Sequence, residues 1–312
     1  MAALNRYREI LFVPAGVLIT LVLLALTGVL PLKAVAMFAV ALPAAYIHMR
    51  QGTASGATVV LSTAGILVWT GGYREALAYL GEFGLMSFFL PMFLKRGLSW
   101  DRSVTLTLGL LLALGGLALA GAGLVGEVNV FSWIEGYLQQ EQQQYLAMIR
   151  DLNLQPEQLS QLEALIKQAA AFSRQAWPAV AVISAAGLQL VTLILLHKFQ
   201  RGDYRISGVP MHCWKLPELL VWALIASGGG VVLGSGMLKL VALNLLLVVL
   251  ACYFLQGLAI MSHYFRKNRV PPILRTLGYV LVVTLNPLPV IVTGLGVFDL
   301  WVNFRKPRKI ND

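Results

Sequence analysis

Polar and apolar positions in this chain come in blocks rather than in a short alternation. Apolar runs lie at about 10–30, 33–49, 54–72, 75–94, 103–126, 176–198, 216–235, 238–264 and 272–299. Most approach the roughly 20 residues a helix needs to cross a hydrocarbon core of about 30 Å. The pattern predicts an all-α, polytopic transmembrane bundle of about 8–10 membrane segments. The first run follows basic residues, as in a signal peptide. It is longer than a signal-peptide core and further runs follow at once, so an uncleaved first helix is expected.

The last run is interrupted at TLNPLPVIV. Pro287 and Pro289 lack backbone donors and push the preceding residues out of helix. Two shorter helices are expected, about 272–285 and 290–304, folded as a hairpin around Asn286–Pro289.

One long stretch, 127–175, is amphipathic instead of uniformly apolar. Ile134, Leu138, Tyr145, Ile149 and Leu152 recur at helical spacing. Pro156 with Glu157 marks a new helix start, and Leu159, Leu162, Ile166 and Ala169 line that helix. A helical hairpin follows, running back into the membrane at Trp177-Pro178. Three consecutive parts are expected: an N-terminal transmembrane bundle at 1–126, an extracytoplasmic hairpin at 127–175 and a C-terminal bundle with a basic tail at 176–312.

Composition reinforces the membrane reading. The 312 residues are 58% hydrophobic and 12% charged, about half the charged share of ordinary soluble domains. The net charge of +10 sits in short clusters between apolar runs, not on a soluble basic face, so the charge signals orientation and not nucleic-acid binding. Arg6/Arg8, Lys95/Arg96/Arg102, Lys198/Arg201/Arg205/Lys215 and Arg266/Lys267/Arg269 all fall on one side if the N-terminus is cytoplasmic. The 127–174 stretch, with six acids against three bases, falls on the other. The proline-broken last hairpin returns Arg305, Lys306, Arg308 and Lys309 to the cytoplasmic side. A bacterial cytoplasmic membrane with both termini inside is therefore expected.

Candidate chemistry is sparse. Glu82 lies about two turns inside an apolar helix, where an acid is costly and marks a site or a buried pair by default. Tyr79 flanks the same face. Asn244, Tyr253 and Gln256 are polar positions in the run at 238–264 and are candidates to line a cavity or to bond between helices. Asp299, between Phe298 and Trp301, is expected to form a structural ion pair with Arg305 or Arg275. Cys213 and Cys252 are far apart, and His48, His197, His212 and His263 show no ligand spacing, so neither a metal nor a cofactor is expected. No GxSxG, phosphate loop or dinucleotide fingerprint occurs, and no enzyme is expected.

Trp214-Lys-Leu-Pro217-Glu218 with Trp222, then Asn244 through Gln256-Gly257, then Gly296-Val-Phe-Asp299-Leu-Trp301 with Arg305, resembles the YybS-like family (domain of unknown function 2232) of bacterial multi-pass membrane proteins. Glu82 and the Lys95–Ser99 turn fit the same resemblance. The architecture is similar, more remotely, to the substrate-binding S components of energy-coupling-factor transporters. Those hold a small molecule and dock on a coupling membrane protein with two ATPases. That likeness implies small-molecule binding, with Glu82, Tyr79, Asn244, Tyr253 and Gln256 as the residues to examine. The alternative is an envelope scaffold that recruits membrane partners through 127–175 or the basic tail.

Overall fold

The computed structural model describes residues 2–29, 32–125, 130–151, 155–200, 202 and 204–305. Lys306, Arg308 and Lys309 of the expected basic tail lie outside these. Among the described residues there are helices and no strands. Five helices are long and apolar enough to cross a membrane, and a bent pair makes up to six. The all-α polytopic bundle is thus observed.

The chain forms two compact units, Met1–Val130 with Ser184–Gly208 and Phe131–Ile183 with Val209–Asp312. They are not consecutive stretches, because one helix passes from the second into the first without a break.

The first unit holds α1 (Ala2–Thr27), α2 (Lys33–Ala39), α3 (Leu42–Gln51), α4 (Thr53–Gly71), α5 (Tyr73–Tyr79), α6 (Leu85–Lys95) and α7 (Trp100–Val125). The apolar run at 33–49 is therefore two short helices, not one span. Pro43, at the start of α3, has no N–H to continue α2. Gly52 alone separates α3 from α4, with φ 109°, a conformation that favours glycine. A single π-turn, Leu80–Gly84, joins α5 to α6 and makes Tyr73–Lys95 one span. Ala41, Ala44 and Ala45 are buried in this unit's own core.

The second unit contains α8 (Val130–Arg150) and the first part of α9 (Pro156–Phe199), then α10 (Leu220–Leu233), α11 (Gly236–Lys267), α12 (Pro272–Thr284) and α13 (Leu288–Val302). α9 has 44 residues, about 66 Å at 1.5 Å per residue. That is twice a bilayer core, so it carries both a hairpin arm and a span. Arg150 and Glu163 tie the hairpin's arms at 3.0 Å, and Lys167 lies 3.5 Å from the same carboxylate. No residue described from Glu135 to Asp151, or from Gln155 to Gln175, is buried. The break expected near Asn286–Pro289 separates α12 from α13, and the chain bends there by 102°. Neither piece alone is long enough to span.

Glycines set the α11–α13 crossing. A Cβ on Gly257 would strike the Val292 carbonyl, and one on Gly296 would strike the Tyr253 carbonyl. The two backbones touch, as small residues permit in membrane helices.

Candidate functional site

Two polar constellations occur, one in each unit.

In the first unit, four helices contribute seams at 3–4 residue spacing. α3 offers Ala44, Ala45 and His48; α7 offers Trp100, Ser103, Val104 and Thr107; α9 offers Gln189, Thr192, Leu193 and Leu196; α6 offers Ser87, Leu90 and Leu94. Residues at this spacing share a helix face. The faces meet, because Ala45, Met49, Leu90, Leu94, Val104, Leu193 and Leu196 form one packed cluster. His48, Ser103, Gln189 and Thr192 ride on the same faces, each with no measurable exposure.

Their hydrogen bonding differs from that of Thr20, Ser87 and Thr107, and is shared by the buried hydroxyls of Thr63, Tyr79 and Tyr253, which also lack a partner among the described residues. Thr20, Ser87 and Thr107 donate back to their own helix, to the carbonyls of Gly16, Gly84 and Ser103 at 2.8 Å. That is the usual arrangement for a buried hydroxyl on a helix. Ser103 Oγ, Thr192 Oγ1, both amide atoms of Gln189 and both ring nitrogens of His48 have no hydrogen-bond partner among the described residues. A buried group left unpaired costs about 1–3 kcal/mol, and more where no water is at hand. Six such atoms would cost about as much as a whole domain's stability.

Tyr79 and Thr63 lie nearby in sequence terms, on α5 and α4, and both are buried in the adjoining core. Neither hydroxyl has a hydrogen-bond partner among the described residues. Glu82 does not join them. It is exposed on the π-turn while Phe83 and Gly84 are buried. The residue at which an intramembrane acid pointed to an interior pocket thus sits on the outside of its turn. The wider turn changes the angular phase between Tyr79 and the residues after it.

In the second unit, Asp299 lies at the centre of a network. Its Oδ2 accepts from Arg305 Nη2 at 2.5 Å and from Gln256 Nε2 at 3.1 Å, and its Oδ1 accepts from the Phe304 N–H at 2.9 Å. Arg305 Nη1 donates to the Trp214 carbonyl at 2.6 Å, and Gln256 Oε1 accepts from the Leu216 N–H at 2.8 Å. Lys215 reaches Asn303 Oδ1 at 2.9 Å. The 209–219 segment, which holds a short 3-10 helix at Met211–Cys213, is thereby strapped to α11 and to the end of α13. At its edge Arg266 Nη1 lies 3.2 Å from His212 Nδ1. Partial burial first, then the Arg266 charge and His263, hold His212 below its ordinary pKa of 6.5.

Asn244 and Gln256, twelve positions apart on α11, are used separately. Gln256 completes the Asp299 network. Asn244 accepts from the Ala179 N–H at 2.9 Å and donates to the Gln175 carbonyl at 3.0 Å. Those two groups are an i, i−4 pair of the α9 ladder, and the Asn244 carboxamide contacts both beside Pro178. Tyr253 is fully buried and its hydroxyl has no partner among the described residues. Tyr79 and Glu82 belong to the first unit, and Asn244, Tyr253 and Gln256 to the second. Among the described residues no group of three or more His, Cys, Asp or Glu is arranged to hold a metal.

Gln189 was not among the residues singled out from sequence. The signal was present: a carboxamide within the apolar run ISAAGLQLVTLILL. The same criterion that drew attention to Glu82 applies to it.

A family model described as predicted membrane protein (DUF2232) matches residues 18–300. The chain belongs to that family, whose description assigns no activity. Comparison with curated proteins and with solved structures found no match. The positions that carried the family resemblance in the last hundred residues include Trp214, Lys215, Gln256, Asp299 and Arg305 of the Asp299 network and Gly257 and Gly296 of the α11–α13 crossing.

Proposed function

We propose that this membrane protein binds a small polar solute in the seam of the first unit, in the general manner of a transporter's substrate-binding component. The observation that carries the reading is Gln189, fully buried with both amide atoms unpartnered among the described residues. A carboxamide retained in that state is costly unless a ligand completes it. His48, Ser103 and Thr192 are the companion groups. The Asp299–Arg305–Gln256 network is given a structural role, holding the 209–219 strap. The reading assigns no catalysis, because the buried polar groups of the seam are not accompanied by a nucleophile–base pair. The loop charges support a bacterial cytoplasmic membrane with both termini cytoplasmic.

The test is extraction of the full chain with its surrounding lipid, followed by mass spectrometry of small molecules released on denaturation. About one molecule per chain is expected, with at least tenfold less from Gln189→Leu or Ser103→Ala. Release of nothing stoichiometric from the wild-type chain would overturn the reading.

A second reading, a partner-binding envelope protein, rests on the hairpin. Tyr137, Tyr145, Met148, Leu165 and Phe172 are exposed along it, more apolar surface than a free hairpin needs. Deletion of 130–170 should then remove a membrane partner while the rest of the chain still folds. Survival of every partner after that deletion and after loss of the tail would exclude it.

A further inference from the structure

We propose that a cleft between α11 and the bent α12–α13 pair holds an acyl chain of an anionic phospholipid, whose head group is met by Arg275.

The cleft is a cavity of about 310 Å³ lined by Leu250, Ala251 and Phe254 of α11, Val283 of α12, and Pro289 and Thr293 of α13. All six belong to the second unit. The build of the hairpin explains it. Gly257 and Gly296 let α13 lie against the backbone of α11. α12 meets α11 where the Phe265 and Tyr279 rings stand edge-on at 5.4 Å, and the 102° bend holds the two hairpin helices apart. The wall asks for no hydrogen bond. Thr293 is its one polar side chain, and Thr293 Oγ1 already donates to the Pro289 carbonyl at 2.8 Å. Such an apolar space does not hold water, and left empty it forfeits dispersion contacts along its lining.

Depth and size select the occupant. Phe254 lies thirteen positions before Lys267 on α11, about 20 Å at 1.5 Å per residue. With Lys267 at head-group level, that is half of a bilayer about 40–45 Å thick, the depth at which acyl chains end. The volume equals a cube about 7 Å on a side, narrower than the roughly 10–12 Å of a helix with its side chains. A hydrocarbon chain fits where a partner helix does not.

Charge selects the head group. Arg275, Tyr279 and Val283 recur at i, i+4 and i+8 and share one face of α12. Tyr279 meets α11 on that face and Val283 lines the cleft, so Arg275 stands on the cleft side, about 12 Å along the helix from Val283. Asp299 pairs with Arg305 and not with Arg275. Arg275 Nε donates to the Val270 carbonyl at 2.6 Å, and its two terminal nitrogens have no partner among the described residues. Arg266, Lys267 and Arg269 are exposed close by in sequence, and 266–275 contains no acid. A guanidinium fork matches a phosphate, and anionic lipids gather at basic clusters beside membrane helices.

The experiment places the full chain in nanodiscs with traces of phosphatidylglycerol or phosphatidylcholine carrying a diazirine near the end of one acyl chain. Labelled peptides are mapped by mass spectrometry after irradiation. The phosphatidylglycerol probe is expected to label 250–254 and 283–293 at least fivefold more than Leu112 and Leu114, which are exposed near the middle of α7. It should also label them at least threefold more than the phosphatidylcholine probe does. Ala251→Phe fills the cleft and should cut this labelling at least fivefold; Thr293→Leu should do the same if the first variant fails to fold. Arg275→Gln should equalise the two probes. Cleft labelling no stronger than at Leu112, as when a partner protein covers the site, or labelling unchanged by filling the cleft, overturns the proposal. Equal labelling by both probes in the wild-type chain overturns the anionic head group and the role given to Arg275.

Discussion

Asn244 and Ala179, 65 positions apart, share a 2.9 Å hydrogen bond on α9 beside Pro178. Pro178 removes one donor from the α9 ladder and its ring crowds the carbonyl one turn earlier. The Asn244 carboxamide then serves the neighbouring Ala179 N–H and Gln175 carbonyl, and its amide also donates to Leu240 at 2.9 Å. Asn244→Leu is expected to destabilise the protein by about 1–3 kcal/mol. In a Pro178→Ala background the same change should cost clearly less, because the helix can close its own ladder. A thermal double-mutant cycle measures the coupling; strict additivity would show that Asn244 does not act on the proline site.

Asp299 and Arg305 are each other's main partner, with side chains 0% and 6% exposed. Removing one leaves the other charged and buried, a loss of about 3–5 kcal/mol. Asp299→Asn should therefore lower the unfolding temperature and expose the 209–219 strap to protease. The double replacement Asp299→Leu/Arg305→Met should recover much of the loss. An Asp299→Asn protein that folds normally but has lost its function would instead make Asp299 a ligand group.

The α11–α13 crossing is sharply position-dependent. Gly296→Ala and Gly257→Ala each place a methyl on a backbone carbonyl of the facing helix, and overpacking of this kind costs about 1–3 kcal/mol or more. Gly294→Ala, two residues away with open space at its Cβ, should be neutral or slightly stabilising through helix propensity. Equal thermal stability of the three variants would contradict the close approach.

His212 is held below 6.5 by partial burial, Arg266 and His263. A depressed folded pKa means the folded state resists the proton that the unfolded chain accepts. Its contribution is complete above 6.5 and is lost as pH falls from there through the folded value. Neutral His212 also accepts from Arg266, and protonation ends that bond. An NMR titration of the histidine rings should find His212 below 6.5, rising in Arg266→Gln. A value at or above 6.5 would contradict the arrangement.

Much of the fold was legible because it rests on one strong local signal, the length of apolar runs. The proline break at 286–289, the helical hairpin and the Asp299–Arg305 pair followed from residue chemistry within a few positions. What was not legible depends on distant partners. Whether Asn244 and Gln256 line a cavity or serve backbone groups is decided by Pro178 and by the 209–219 strap, 40 or more residues away in sequence. Glu82 drew attention as an intramembrane acid, but the π-turn that leaves it exposed has no sequence signature of its own. Gln189 was visible as an isolated carboxamide; its distinction, the missing partner, exists only once four helices meet.

The central claim concerns the atoms around Gln189, and a high-resolution experimental structure of the chain extracted with its native lipid tests it most directly. The account predicts non-protein density within hydrogen-bonding distance of Gln189 Oε1 and Nε2, extending to Thr192 or Ser103 and too large for single waters. Protein groups completing those bonds, or a string of waters alone, would contradict it.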